Sequence, residues 1–117
     1  MENADQSDWG PESQLLRAIA HPTRLKILAA LCEGSLCVND VNDMLDIPQP
    51  QVSQHMAALR KVEVVACHIN GPLRCYYILK PTLIKKLMRL LYEEHPSRQR
   101  DRNTVIREAN KRRQVQS

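Results

Sequence analysis

Two groups of residues in this chain have side chains able to do chemistry. The first is a run of amides, a hydroxyl and an imidazole, Gln49, Gln51, Ser53, Gln54 and His55, followed by Arg60 and Lys61. Glutamine can hydrogen-bond adenine bidentately, serine suits several base edges, and Arg or Lys suits phosphate. Donors and acceptors without dense charge are what reading base edges requires. The same residues would also serve the solvent face of an ordinary amphipathic helix. The second group is the four cysteines, Cys32, Cys37, Cys67 and Cys75. The chain starts Met1-Glu2-Asn3-Ala4-Asp5, acidic and polar, unlike a signal peptide. The expectation is a cytoplasmic protein whose thiols are reduced and available for packing, metal or redox chemistry.

Cys32 and Cys37 lie on either side of Glu33-Gly34-Ser35. If that turn brings them together, they could hold a metal or metalloid or oxidise to a disulfide; Cys32 also suits a small buried hydrophobe. Cys67 and Cys75 flank Asn70-Gly71 and are expected near each other across a hairpin, free to pair, to bind metal or to pack. Two thiolates are too few for zinc, which prefers four ligands. They suit a thiophilic metalloid with a third donor, or an oxidant. No Ser/His/Asp set, phosphate loop or complete metal triad has workable spacing, which argues against an enzyme.

These residues need elements to position them. Val52, Met56 and Leu59 recur at helical spacing beneath the amide-rich run, and Pro48 and Pro50 suit a helix entrance. Upstream, Leu15, Leu16 and Ile19 mark a short helix over 12–20, and His21-Pro22 interrupts it. Pro22 opens a second helix, with Leu25, Ile27, Leu28 and Leu31 buried, which ends at Gly34. Val38 to Leu45 forms a third, and Asp46-Ile47-Pro48 is the turn into the fourth, so the pair reads as a helix-turn-helix. The β-branched run 62–69, the Asn70-Gly71 turn signal and the return 73–79 make a hairpin, or wing. Pro81 opens a last helix carrying Leu83, Ile84, Leu87, Leu90 and Leu91.

The composition agrees. A chain of 117 residues is one ordinary domain, and with Trp9, Tyr76, Tyr77 and Tyr92 as its only aromatics the core must be aliphatic. No apolar run is long enough to span a membrane. The net charge of +4 is uneven: 96–117 hold seven Arg or Lys against Asp101 and Glu108, +5 in all, leaving −1 on the rest. The division is therefore a flexible arm over 1–11, a mainly α domain with a small β-hairpin over 12–95, and a basic tail over 96–117. The tail is expected to be disordered apart from a helical turn or two within 103–113.

Several segments together resemble the ArsR family of winged helix-turn-helix repressors. They are Ala18-Ile19-Ala20-His21-Pro22-Thr23-Arg24-Leu25-Lys26-Ile27-Leu28, Ser35-Leu36-Cys37-Val38-Asn39-Asp40-Val41, Gln49 to Arg60, and Tyr76-Tyr77-Ile78-Leu79. The resemblance implies a homodimer joined through its first and last helices, with Leu15, Leu16, Ile19, Leu83, Ile84, Leu87 and Leu91 at the interface. It implies a repressor of double-stranded operator DNA, released by a small effector. On that pattern the DNA contacts are Gln49, Gln51, Ser53, Gln54, His55, Arg60 and Lys61, with His68, Asn70 and Arg74 from the wing.

The chain departs from the family at its sensing positions. Cys37 matches the first cysteine of a Cys-x-Cys, but Asn39 stands at the second and Asn42 at a third candidate position. The last helix has no histidine before His95. That leaves Cys32 and Cys37 as the candidate metal or metalloid pair. Val62-Glu63-Val64 replaces the usual small-Gly before the wing, and Gly71-Pro72-Leu73-Arg74 suggests a wing about one residue longer than usual. Two other readings stay open: a regulator whose cysteines are purely structural and respond to no metal, and a winged helix that docks protein.

Overall fold

The computed structural model describes residues 8–116, with side chains described through residue 114. Most of the expected N-terminal arm lies outside the described residues. The order is α1 (Gly10–Ile19), α2 (Pro22–Leu31), β1 (Leu36–Cys37), α3 (Val38–Leu45), α4 (Gln49–Lys61), β2 (Val65–Asn70), β3 (Leu73–Ile78), α5 (Pro81–Tyr92) and α6 (Arg102–Gln116). This is a winged helix-turn-helix, mainly α with a small antiparallel sheet.

Several helix boundaries have a local cause. The ring Nδ1 of His21 accepts the Thr23 N–H at 3.0 Å, so histidine caps α2. The Cys37 N–H donates to Asp40 Oδ2 at 3.1 Å, half of the reciprocal bonding that starts a helix at α3. Asp46 closes α3 in the left-handed region, φ 53, its N–H bonded to the Asn42 carbonyl at 2.8 Å. Pro48 and Pro50 then open α4, where a missing N–H costs nothing.

The core is aliphatic, as the scarcity of aromatics requires. Ile27, Leu28, Val52, Met56, Leu59, Val64 and Ile84 are all fully buried. Val64 joins the helix-turn-helix to the wing: its N–H donates to the Leu59 carbonyl, and its carbonyl accepts from the Leu79 N–H. The wing therefore hangs directly from the end of α4.

The sheet differs from a simple hairpin. Its strand order is β1-β3-β2, and the two-residue β1, too short to leave a sequence pattern, adds an edge. Asn70 pairs with Leu73, so the loop is Gly71-Pro72, one residue later than the Asn70-Gly71 signal suggests, and the wing closes through a tight turn. Gly71 has φ 59 at the first central position, where only glycine is comfortable, and Pro72 follows with its fixed negative φ.

Three further expectations change. The tail carries α6 where disorder was expected: Asp101 Oδ2 accepts the Thr104 N–H at 3.2 Å as a cap, and Arg100 pairs with Glu108. Ile19 and Ile84, expected at the dimer interface, are 3% and 0% exposed inside the protomer. The apolar stripe of α5 is split, with Ile84, Leu87 and Met88 packed on the core and Leu83, Leu90 and Leu91 facing outward. Glu63 sits at φ 59 beside the wing, the conformation a glycine would adopt there without strain.

Candidate nucleic-acid interface

Helix α4 divides its residues by face. Val52, Met56 and Leu59 are fully buried, so the helix is anchored along its length. Gln49, Gln51, Ser53, Gln54, Arg60 and Lys61 are exposed. The amides and hydroxyl occupy the first half of the helix, and the two cations lie in its last turn, where the helix dipole also favours them. At the wing, His68, Asn70 and Arg74 are exposed, and the His68 ring stacks on Tyr77 at 5.1 Å between centroids.

His55 does not join the exposed row. It is half-buried, and its Nδ1 accepts from Arg24 Nε at 3.2 Å. Its ring lies 4.6 Å from that of His21. Burial first, then His21, then Arg24 hold its pKa below the usual histidine value, so the neutral form that accepts from Arg24 is favoured. The spacing carries a signal for this: His55 is three residues after Val52 and four before Leu59, on the buried stripe. Arg24 also donates to the Ala18 carbonyl at 2.9 Å and so ties α1, α2 and α4 together. Nothing in its place on α2 marks that bracing role.

The cysteines are arranged differently from either expected pair. The sulfur facing Cys37 is that of Cys75, at 3.3 Å, and the two residues are register partners across β1 and β3. Cys75 is in turn the partner of His68, whereas Cys67 pairs with Tyr76. Side chains alternate faces along a strand, so Cys67 and Cys75 lie on opposite faces of the sheet and do not meet across the hairpin. Cys32 lines an open groove of about 640 Å³ with Leu25, Lys85 and Met88, between α2 and α5. Burial raises its pKa, with Lys85 opposing and Glu33 adding. The hydrogen bond with Cys75 raises the Cys37 pKa most, with smaller contributions from burial, the Cys75 charge and Asp40.

A family-type metal site does not fit this donor set. Among the described residues no three His, Cys, Asp or Glu side chains are grouped to hold a metal ion. Asn39 is exposed, and the Asn42 side-chain oxygen is buried without a partner, a poor donor for a soft metal.

An anchored helix with an amide-rich exposed face, followed at once by a wing, defines a winged-helix DNA-binding regulator. Residues 21–66 match the family described as bacterial regulatory protein, arsR family. An uncharacterized HTH-type transcriptional regulator of Methanocaldococcus jannaschii is 37% identical over 82 residues, 69% of this chain and 91% of that protein. The HTH-type transcriptional repressor SmtB of Mycobacterium tuberculosis is 43% identical over 58 residues, 50% of this chain and 43% of the repressor. The crystal structure of the transcriptional repressor BigR from Xylella fastidiosa superposes with a TM-score of 0.70 at 26% identity, covering 84% of this chain and all of BigR. The chain belongs to the arsR family: it is a DNA-binding transcription regulator and not an enzyme. No described helix is long and apolar enough to cross a membrane.

Proposed function

We propose that this chain is a homodimeric repressor that reads a two-fold operator through Gln49, Gln51, Ser53 and Gln54, and that a thiol-directed effector releases it. The observation that carries the reading is the face of α4: the readers are exposed while Val52, Met56 and Leu59 hold the helix rigidly from behind. Arg60, Lys61 and the wing residues Asn70 and Arg74 are exposed beside it and suit phosphate or groove contacts. Leu16, Leu83 and Leu91 are 54%, 46% and 58% exposed on the first and fifth helices, which supports pairing of two copies there. A dimer would present two copies of α4 to half-sites about one helical turn apart.

The test is footprinting and titration on the DNA upstream of the chain's own gene, with scrambled DNA as the control. The expected result is a protected two-fold site bound at least a hundredfold more tightly than scrambled DNA, by a species that light scattering sizes as a dimer. A monomer, or equal affinity for both DNAs, overturns the reading.

A further inference from the structure

We propose that Cys37 and Cys75 are a hydroperoxide-oxidised dithiol, whose closure to a disulfide clamps the wing to the start of α3 and loosens operator binding. The proposal rests on the repressor reading above and names the site of its regulation.

The geometry is specific to this pair. Cys37 and Cys75 are directly opposed across an antiparallel ladder, with their sulfurs 3.3 Å apart. Directly opposed residues have Cα atoms about 4.5–5.5 Å apart, within the span a disulfide bridges. Both are half-buried, open to a small oxidant. Cys67 faces the other side of the sheet, and Cys32 lies in the α2–α5 groove. With no third donor grouped among the described residues, two thiols are better matched to forming one bond with each other than to holding a metal.

The position gives the bond its consequence. β1 has two residues and runs directly into α3, while β3 is the return strand of the wing. A small cleft beside the pair is lined by Cys37, Asn39, Gln49, Pro72, Leu73 and Arg74. Gln49 begins α4 and Arg74 belongs to the wing, so the sulfurs sit where the two proposed DNA-contacting elements converge. Closing the bond to about 2.05 Å brings the sulfurs more than 1 Å closer. The wing then shifts against α4, and bonds to the duplex that need both elements in one register fail together.

The chemistry balances without a metal. One thiolate attacks the hydroperoxide, forming a sulfenic acid and releasing the alcohol, or water when the oxidant is hydrogen peroxide. The second thiol attacks that sulfur and expels water, leaving the disulfide. The two sulfurs together give up two electrons and the peroxide O–O bond accepts them. A dithiol reductant reverses the step by exchange.

The test treats the full reduced chain with hydrogen peroxide, maps crosslinked peptides by mass spectrometry and titrates the operator. The expected map shows an intramolecular Cys37–Cys75 bond that dithiothreitol removes, with operator affinity at least tenfold lower until reduction. Cys32→Ser and Cys67→Ser keep both effects. Cys37→Ser and Cys75→Ser, checked for native circular dichroism, lose both. A different pairing, a bond between chains, or over-oxidation without a bond overturns the proposal, as does a Cys37–Cys75 disulfide that binds operator as well as the dithiol. A reduced chain that cannot tell operator from scrambled DNA defeats the repressor reading and the operator half of this one, and the peptide map still judges the bond. The map needs no variant, so a substitution that fails to fold cannot shield the idea.

Discussion

Helices α4 and α6 are both polar and similar in length, 13 and 15 residues, yet they are held in opposite ways. Helix α4 has three fully buried side chains beneath its polar face. None of the described side chains of α6, residues 102–114, is buried, and that helix relies on the Asp101 cap and the Arg100–Glu108 pair. On the proposed reading, the difference separates two ways of meeting nucleic acid. Base readout needs side chains held in a fixed register, which burial on the opposite face supplies. Attraction to phosphate needs only charge, and α6 carries Arg102, Arg107, Lys111, Arg112 and Arg113 without an anchor in the core.

The largest effect that sharpens this contrast is on stability. Met56→Ala or Leu59→Ala should cost about 2–5 kcal/mol in denaturant unfolding, the range for truncating a fully buried side chain. Val105→Ala or Ile106→Ala in α6, at 43% and 38% exposure, should leave the midpoint nearly unchanged. Comparable losses in both helices would mean that α6 packs against another surface in solution.

The next effect is on recognition. Gln51→Ala or Gln54→Ala should weaken operator binding by about 1–3 kcal/mol and barely affect scrambled DNA. Deleting residues 96–117 should do the reverse, lowering affinity for both DNAs. The log–log salt slope should shrink by about 0.9 for each phosphate that the shortened chain no longer neutralises, with operator preference intact. If the deletion removes preference, or the glutamine changes weaken both DNAs equally, the assignment of roles to the two helices is wrong.

A smaller effect concerns His55. Its pKa is lower folded than unfolded, so the native state resists protonation. Its contribution is fully present above the unfolded value of about 6.5 and is lost as pH falls below it through the folded value. Between pH 7 and 5 wild type should lose more stability than His55→Gln, measured by denaturant midpoint at each pH. Equal slopes would show that His55 is not coupled to folding. The smallest expected change is Glu63→Gly, which relieves the left-handed backbone at φ 59 but loosens the unfolded chain. The net gain should be below about 1 kcal/mol, and a clear destabilisation would mean that the Glu63 side chain makes a needed contact.

Much of the architecture was legible because it rests on local patterns. Val38–Leu45 matches the expected third helix, Pro22 and Pro81 begin helices where expected, and the hairpin falls between the expected runs. The reading of α4 agrees with the structure for the faces of Gln51, Ser53 and Gln54 and fails for His55, whose register places it on the buried stripe. Tail and turn depart from the expected pattern for local reasons too. A charged, weakly apolar segment gave no core signal, yet its cap and ion pair accompany a helix, and Gly71-Pro72 displaced Asn70-Gly71 as the loop.

The sequence by itself therefore determined which segments between Glu12 and Tyr92 are helical, where the wing lies and which family the pattern resembles. These follow from the spacing of apolar residues and from proline and glycine, whose effects act within a few residues. Only the tertiary structure decided which cysteines meet. Cys37 and Cys75 are 38 residues apart, and their sulfurs come within 3.3 Å because a two-residue strand docks on the far edge of the wing. No spacing along the chain encodes that approach. Strand register, with its alternation of faces, turned Cys67 away and brought Cys75 to Cys37, and the packing of α1, α2 and α4 likewise set Arg24 against His55.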